Sequence, residues 1–386
     1  MAKPQAIIIG AGFTGCALAH DLCLRGVDVT VIERGDIASG TSGRTHGLLH
    51  SGARYCVNDR TSAVECIEEN TLLRKITPQC IEPNGGLFVA LDDRDLAYRP
   101  LFIQGMEACN IPFEEITVAE ALRLEPNLNP KVLAAIKVPD GSFEPLRLAL
   151  AFAATAKSRG ARFLLYHDAE GLVMDGKGNV TGVKAWDRNT NTHTEYSADM
   201  VINATGAWAG EIAALAKLNV PVKPTPGIMV AFDRRLVERA INRLCEPDDG
   251  DIVLPQRRMV VVGTTSFETA DVDYVPVDDE QIQMMITRGS DLVPAIKKAH
   301  MRGAYMSSRP LIGAGIEARS IARTFKCFDH KESDGIDGLV TITGGKATTC
   351  RAMAESTADV VCARLGIQAA CATREFPLKP YREFYR

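Results

Sequence analysis

The chain has 386 residues, is 46% hydrophobic and carries 44 Lys and Arg against 48 Asp and Glu, a formal net charge of -4. That length buries a large core and gives room for two or three domains, which excludes a disordered or fibrous chain. The slight acidity speaks against nucleic acid as a partner, because duplex binding draws on surplus Lys and Arg; any anion site must be a local gathering of cations.

In chain order, the first element is the apolar run Ala6 to Ile9, which reads as a strand buried on both faces. Gly10, Gly12 and Gly15 follow at G-x-G-x-x-G spacing, then the helical pattern Ala17, Leu18, Leu22, a stop at Gly26, a second strand Val27 to Ile32 and the acid Glu33. Gly10 permits a tight turn, Gly12 lets backbone approach a pyrophosphate, and Gly15 lets helix and strand pack closely. The helix N-terminus offers N–H groups to phosphates, and Glu33 is placed to accept ribose hydroxyls. The stretch that continues through Ser39, Gly40, Thr41, Ser42 and Gly43 suits backbone wrapped around a longer ligand, as FAD would be when extended across the domain. Two histidines, an arginine and a tyrosine then crowd into "HGLLHSGARY", His46 to Tyr55.

Residues 61–76 read as a helix, Asn84 to Leu91 and "VLAAIKV" as strands, and Leu146 to Ser158 as a second helix after the "PDGSFEP" turn. From Ala161 the sequence alternates short strands with turns, a β-meander that feeds a last buried strand, Met200 to Asn203. "NATGAWAG" repeats the strand, small-residue turn, helix logic, with Gly206 at a second close approach to the cofactor. After Pro221, "IMVAFD", "DIVLPQ" and "RMVVVGTTS" predict a mainly antiparallel second domain, covered by a helix between Asp279 and His300. "GLVTITGGKATTCR" reads as a strand, the Gly344-Gly345 turn and a helix from about Thr348 to Leu365, with Lys346 beside an anion-binding helix start. The expected fold is α/β: a discontinuous FAD-binding Rossmann-like domain over 1–80, 145–215 and 330–386, and an antiparallel α+β substrate domain over 81–144 and 216–329.

Eleven cysteines are scattered with no C-x-x-C pair and no metal spacing, and no signal segment precedes the first strand. They read as reduced thiols in a cytoplasmic protein, with any membrane contact peripheral on its inner face.

The segments "IIIGAGFTGCALAHDLCLRG", "HGLLHSGARY", "NATGAWAG", "GTTS", "RPLIG" and "ITGGKATTCR" resemble the FAD-dependent glycerol-3-phosphate dehydrogenases, within the D-amino-acid-oxidase-like flavoproteins. The resemblance is strongest to the flavoprotein subunit of the bacterial anaerobic enzyme, and it runs from about Ile7 to Leu365. It implies hydride transfer from sn-glycerol 3-phosphate to flavin N5, with electrons passed to a quinone or another carrier. Related flavoproteins that oxidise a 2-hydroxy acid such as 2-hydroxyglutarate, or a secondary amine, are the alternative.

Site residues follow from the resemblance. Arg54, Arg309, Arg323 and Lys346 lie in segments that resemble the family's pocket, and they would hold the phosphate, joined by Tyr55; Arg309 also counts as catalytic. His50 is the candidate base for the carbinol proton, a flavin contact or covalent attachment being its other reading. Cofactor contacts are implied for Phe13, Thr14, Arg34, Thr41, Ser42, His46, Gly47, Leu49, Ala204, Thr205, Gly206, Gly345, Lys346, Ala347 and Thr348. Cys350 stands where the family usually has tyrosine, and "TPGIMVAF" lacks a histidine found in some members. No cysteine-rich, iron-sulfur-like region follows "PLKPYREFYR", so an electron-accepting or membrane-anchoring subunit is expected, with the basic, aromatic tail as its docking segment. A homo-oligomer is compatible with the same reading.

Overall fold

A computed structural model describes residues 3–269, 271–313 and 324–386. Its first layer is a six-stranded sheet in the order Phe325–Asp329, Leu339–Gly344, Met200–Asn203, Gln5–Ile9, Asp28–Glu33, Arg162–Leu165. All neighbours are parallel except the first pair. Both faces of the central strand are covered, which explains its unbroken apolar run. Ala6 and Ile8 join the core beneath the helices Phe13–Leu24, Pro145–Lys157 and Cys350–Arg364, while Ile7 and Ile9 pack with Leu172, Val180 and Val183. Those last three belong to an antiparallel meander, His167–Met174, Val180–Asp187 and Thr192–Ser197. Arg162–Leu165, expected in the meander, instead extends the parallel sheet; Tyr166, at φ 60, turns the chain out of it.

A second sheet has eight strands in the order Met301–Ile312, Val222–Phe232, Met259–Gly263, Ile252–Gln256, Ala240–Arg243, Gly86–Ala90, Ala134–Val138, Glu114–Ile116. It is antiparallel apart from the Ala240–Arg243 and Gly86–Ala90 pair, and the helix Asp279–Leu292 packs on it through Ile282, Met285 and Leu292. Phe325–Asp329 corrects the expected division of the chain: grouped by sequence with 216–329, it is an edge strand of the parallel sheet, where Phe325 and Cys327 pack against the helix core. Among the described residues no helix is long and apolar enough to cross a membrane.

Tyr381–Tyr385 forms a short 3-10 turn, and Phe384 is buried with its ring edge-on to Phe163 at 5.4 Å. Lys157 Nζ donates to the Phe384 carbonyl at 2.6 Å, so this segment is docked on its own chain.

One core residue sets an acid limit on stability. His20 has no exposed surface, lies 5.5 Å from the Phe376 ring, and has no hydrogen-bond partner on either ring nitrogen. Burial, then Arg159, push its pKa down to about 4. A depressed histidine is neutral in the fold and charged in the unfolded chain between about 4 and 6.5, so stability is lost as pH falls through that window. Between pH 7 and pH 5 the loss from this group is expected to be about 2 kcal/mol. Urea midpoints at the two values check this; His20→Met should flatten the difference, and an equal difference in both proteins would remove His20 from the account.

Candidate functional site

The dinucleotide end is built from the glycine turn. Gly10 has φ +104, and a Cβ there would sit 2.8 Å from the Ala204 carbonyl oxygen; a Cβ on Gly15 would lie 1.9 Å from Gly10 O. Only hydrogen fits at either place. Phe13 N, at the start of the helix, donates to Ser42 Oγ at 3.0 Å, drawing residues 41–44 over the helix N-terminus. Glu33 is held at the end of the second strand, accepting from Ala11 N at 2.8 Å and Gly35 N at 2.9 Å. A glycine cradle, a helix N-terminus and a carboxylate after the second strand fit the pyrophosphate and ribose of FAD. At the mouth, Arg34 stacks 4.3 Å over Trp208, and both bind Asp273, at 2.7 and 3.0 Å.

From there a cleft of about 1860 Å3 runs to "HGLLHSGARY". That segment is fixed along its backbone. Leu48–Leu49 pairs with Gly141–Phe143, His50 N donates to Thr348 Oγ1 at 3.1 Å, and Ser51 N to the Asp140 carboxylate at 2.7 Å. Asn70 Nδ2 caps the His50 carbonyl at 3.1 Å. Gly52, at φ +92, lies so close to Ala63 that a Cβ would meet its carbonyl oxygen at 2.2 Å; the 3-10 turn Ala53–Tyr55 follows.

The side chains so placed form one electrostatic group. The His50 ring is 6.0 Å from His46 and 5.2 Å from Tyr55, and Lys346 Nζ lies 4.4 Å over the Tyr55 ring. Burial, then His46, Lys346 and Arg54, hold the His50 pKa well below 6.5. His46 is pushed down to about 4 by burial, then Arg54 and Arg309. Its Nδ1 accepts from Leu48 N at 3.0 Å, which puts the proton of the neutral ring on Nε2. Arg309 reaches the cleft from the strand Met301–Ile312, donating to Thr264 Oγ1 at 2.9 Å and to the Thr265 carbonyl at 2.7 Å.

The cleft is lined by Gly10, Gly12, Phe13, Thr14, Glu33, Arg34, Thr41, Ser42, His46, His50, Arg54, Tyr55, Ala204, Thr205, Gly206, Arg309, Gly345, Lys346 and Ala347. Gly15, Gly47, Leu49 and Thr348 stand one layer behind it. Gly15 serves helix packing, a Cβ on Gly47 would strike Gln256 and the Phe143 carbonyl, and Leu49 and Thr348 are fully buried. Arg323 lies outside the described residues.

Sequence reasoning missed Asp251, whose buried carboxylate grips the Arg54 guanidinium at 2.6 and 2.8 Å. It also missed Trp208 and Asp273. The acidic run Glu246 to Asp251 was the one available signal, and nothing local ties it to an arginine 197 residues away.

The family described as "FAD dependent oxidoreductase" matches residues 5–360. The chain is 40% identical over 386 residues to one subunit of the anaerobic glycerol-3-phosphate dehydrogenase of Escherichia coli K12, a match that covers 98% of this chain and 70% of that relative. It is also 40% identical to the corresponding subunit of the anaerobic glycerol-3-phosphate dehydrogenase of Haloferax volcanii, over 99% of this chain and 67% of that one. Among solved structures, the glycerol-3-phosphate dehydrogenase of Bacillus halodurans complexed with FAD gives a TM-score of 0.75 at 23% identity, covering 98% of this chain and 68% of that chain. The L-alpha-glycerophosphate oxidase of Mycoplasma pneumoniae gives 0.77 at 20%, covering 98% and 100%. At these identities the solved structures speak for the fold alone.

Proposed function

This chain belongs to the family of FAD-dependent oxidoreductases, and from that premise we propose that it oxidises sn-glycerol 3-phosphate to dihydroxyacetone phosphate. The observation that carries the reading is the gathering of Arg54, Arg309 and Lys346, from three distant parts of a net-acidic chain, around His50 and Tyr55 in one cleft. A phosphate dianion needs several converging donors, whereas a single carboxylate needs fewer. Relatives named for glycerol 3-phosphate at 40% identity support the same substrate.

When bound, FAD accepts the hydride of the carbinol carbon. The protein's own part is to hold the phosphate with Arg309, Lys346 and Arg54, to set the carbinol against the flavin, and to take its proton. We assign that proton to His50, whose imidazole is neutral before substrate arrives. Gly10, Gly12, Glu33 and Arg34 are assigned to the dinucleotide, Thr41, Ser42 and Ala204 to Gly206 to its middle, and Gly345 to Ala347 to the flavin end. We place the FAD-binding unit in 1–80, 145–215 and 330–386, joined by the strand Phe325–Asp329, and the substrate unit in 81–144 and the rest of 216–329. Several relatives are named as one component of a multi-subunit dehydrogenase, which supports electron delivery to a partner protein or a quinone.

Anaerobic mixing of the FAD-loaded protein with glycerol 3-phosphate should bleach the visible flavin band, while 2-hydroxyglutarate and sarcosine should leave it. Bleaching by either of those and not by glycerol 3-phosphate would overturn the substrate. Arg54→Ala removes a buried charge-assisted donor and strands Asp251 without its partner, so KM should rise by about 10- to 100-fold with bound FAD retained. Adding Asp251→Asn to that variant should recover part of the loss; no recovery would mean the stranded carboxylate does not repel the ligand.

A further inference from the structure

The cations outside the cleft are not spread evenly. Four neighbouring strands of the eight-stranded sheet end together: Gln256 is opposite Met259, Val260 opposite Phe232, and Phe232 opposite Met301. Beyond Phe232, Asp233 N donates to the His300 carbonyl at 3.1 Å, tying the next loop to the same end. At about 4.8 Å per strand this end is about 15 Å wide. Six exposed cations emerge from it: Arg234 after one strand, Arg257 and Arg258 in the turn between two others, and Lys297, Lys298 and Arg302 around the start of the fourth.

Carboxylates answer only part of that charge. Asp233 lies 4.0 Å from Arg234 and Glu144 2.9 Å from Arg257, while Glu82 and Glu238 are taken by the half-buried Arg235 at 2.8 and 2.9 Å. Arg258, Lys297, Lys298 and Arg302 have no ion-pair partner among the described residues. Two large apolar side chains stand among them in water, Met259 at 39% and Met301 at 40% exposure. A chain of net charge -4 has concentrated uncompensated positive charge and exposed methionine at one sheet end.

We propose that this end is a docking face for an anionic phospholipid bilayer. Four long, unpinned cations with apolar side chains between them suit a field of laterally mobile headgroups, which asks for charge density and shallow apolar insertion without fixed geometry. Arginine and methionine are also enriched where proteins meet, and Tyr305 stands beside Arg257, Arg258 and Met259, so a folded acidic partner is the rival occupant that the test separates.

The test is co-sedimentation of the FAD-loaded full chain with vesicles. Binding should occur on phosphatidylcholine vesicles containing phosphatidylglycerol, be absent on phosphatidylcholine alone, and vanish in molar salt, where the Debye length falls to about 3 Å. Each cation contributes about fivefold in partition, so Arg258→Gln, Lys297→Gln, Lys298→Gln and Arg302→Gln together should lower binding at least a hundredfold. The same variant should keep its flavin spectrum and its turnover with a soluble dye. Met259→Ser with Met301→Ser should weaken binding and make the remainder more salt-sensitive. Equal binding to both vesicle types, or binding untouched by the four substitutions, would overturn the proposal. Absence of vesicle binding, with salt-sensitive binding of a purified acidic protein partner that the four substitutions abolish, would overturn it in favour of that partner.

Discussion

Replacing His50 by glutamine is expected to lower kcat by about 10²- to 10⁴-fold, the range of a lost general base, while KM for glycerol 3-phosphate changes little. Glutamine preserves size and polarity, and the segment is held by backbone contacts to Thr348 and Asn70 that do not involve the ring. The pH profile carries a further consequence. Burial depresses the His50 pKa first, and the positive fields of Lys346 and Arg54 add to it. A bound dianion cancels much of those fields, so the imidazole becomes a stronger base once substrate is in place. The neutral ring is the active form, so kcat should fall as pH drops through the pKa of the complex. That midpoint should lie above the pKa of His50 measured by NMR in the substrate-free protein. A His50→Gln protein with unchanged kcat would return the residue to a flavin contact, and midpoints in the reverse order would remove the field argument.

The second large effect concerns stability. Arg351 has no exposed surface, and it binds Glu69 through two nitrogens at 2.9 and 2.5 Å, Glu355 at 2.7 Å and Thr373 at 3.0 Å. It ties the helix Cys350–Arg364 to the helix Arg60–Ile76 and to the segment near residue 373. Arg351→Leu leaves the Glu69 carboxylate, 3% exposed, without its ion-pair partner, and is expected to cost about 3–5 kcal/mol. Burial already raises the Glu69 pKa against the pull of Arg351. With the arginine gone the carboxyl rises further, and the deficit should narrow as pH falls and Glu69 takes up a proton. Adding Glu69→Leu should restore most of the stability. Denaturant midpoints at neutral and mildly acid pH measure both, and a single variant within about 1 kcal/mol of the parent would show that the network contributes little.

Local rules made much of the cofactor end legible. Gly10 and Gly15 are demanded by a positive φ and by a contact that leaves no space for Cβ, and such needs leave glycine in the sequence. The meander announced itself by its turns and the central strand by its unbroken apolar run. Gly47, Leu49 and Thr348 belong to the same motifs as residues that line the cleft but stand one layer behind it, and a motif does not carry that distinction. Phe325–Asp329 went to the wrong unit because an edge strand looks alike in either sheet, and pairing with Leu339–Gly344 decided it.

The amino-acid sequence by itself determined the nucleotide-binding turn, the class of fold and the cluster of polar side chains from His46 to Tyr55, because backbone conformation and the period of burial act over a few residues. Only the tertiary structure decided that Asp251 would hold Arg54, that Asp273 would join Arg34 to Trp208, and that cations from four strand ends would share one face. Those partners are brought together by chain packing over tens to hundreds of residues, and a charge at one position places no local constraint on the residue that will answer it.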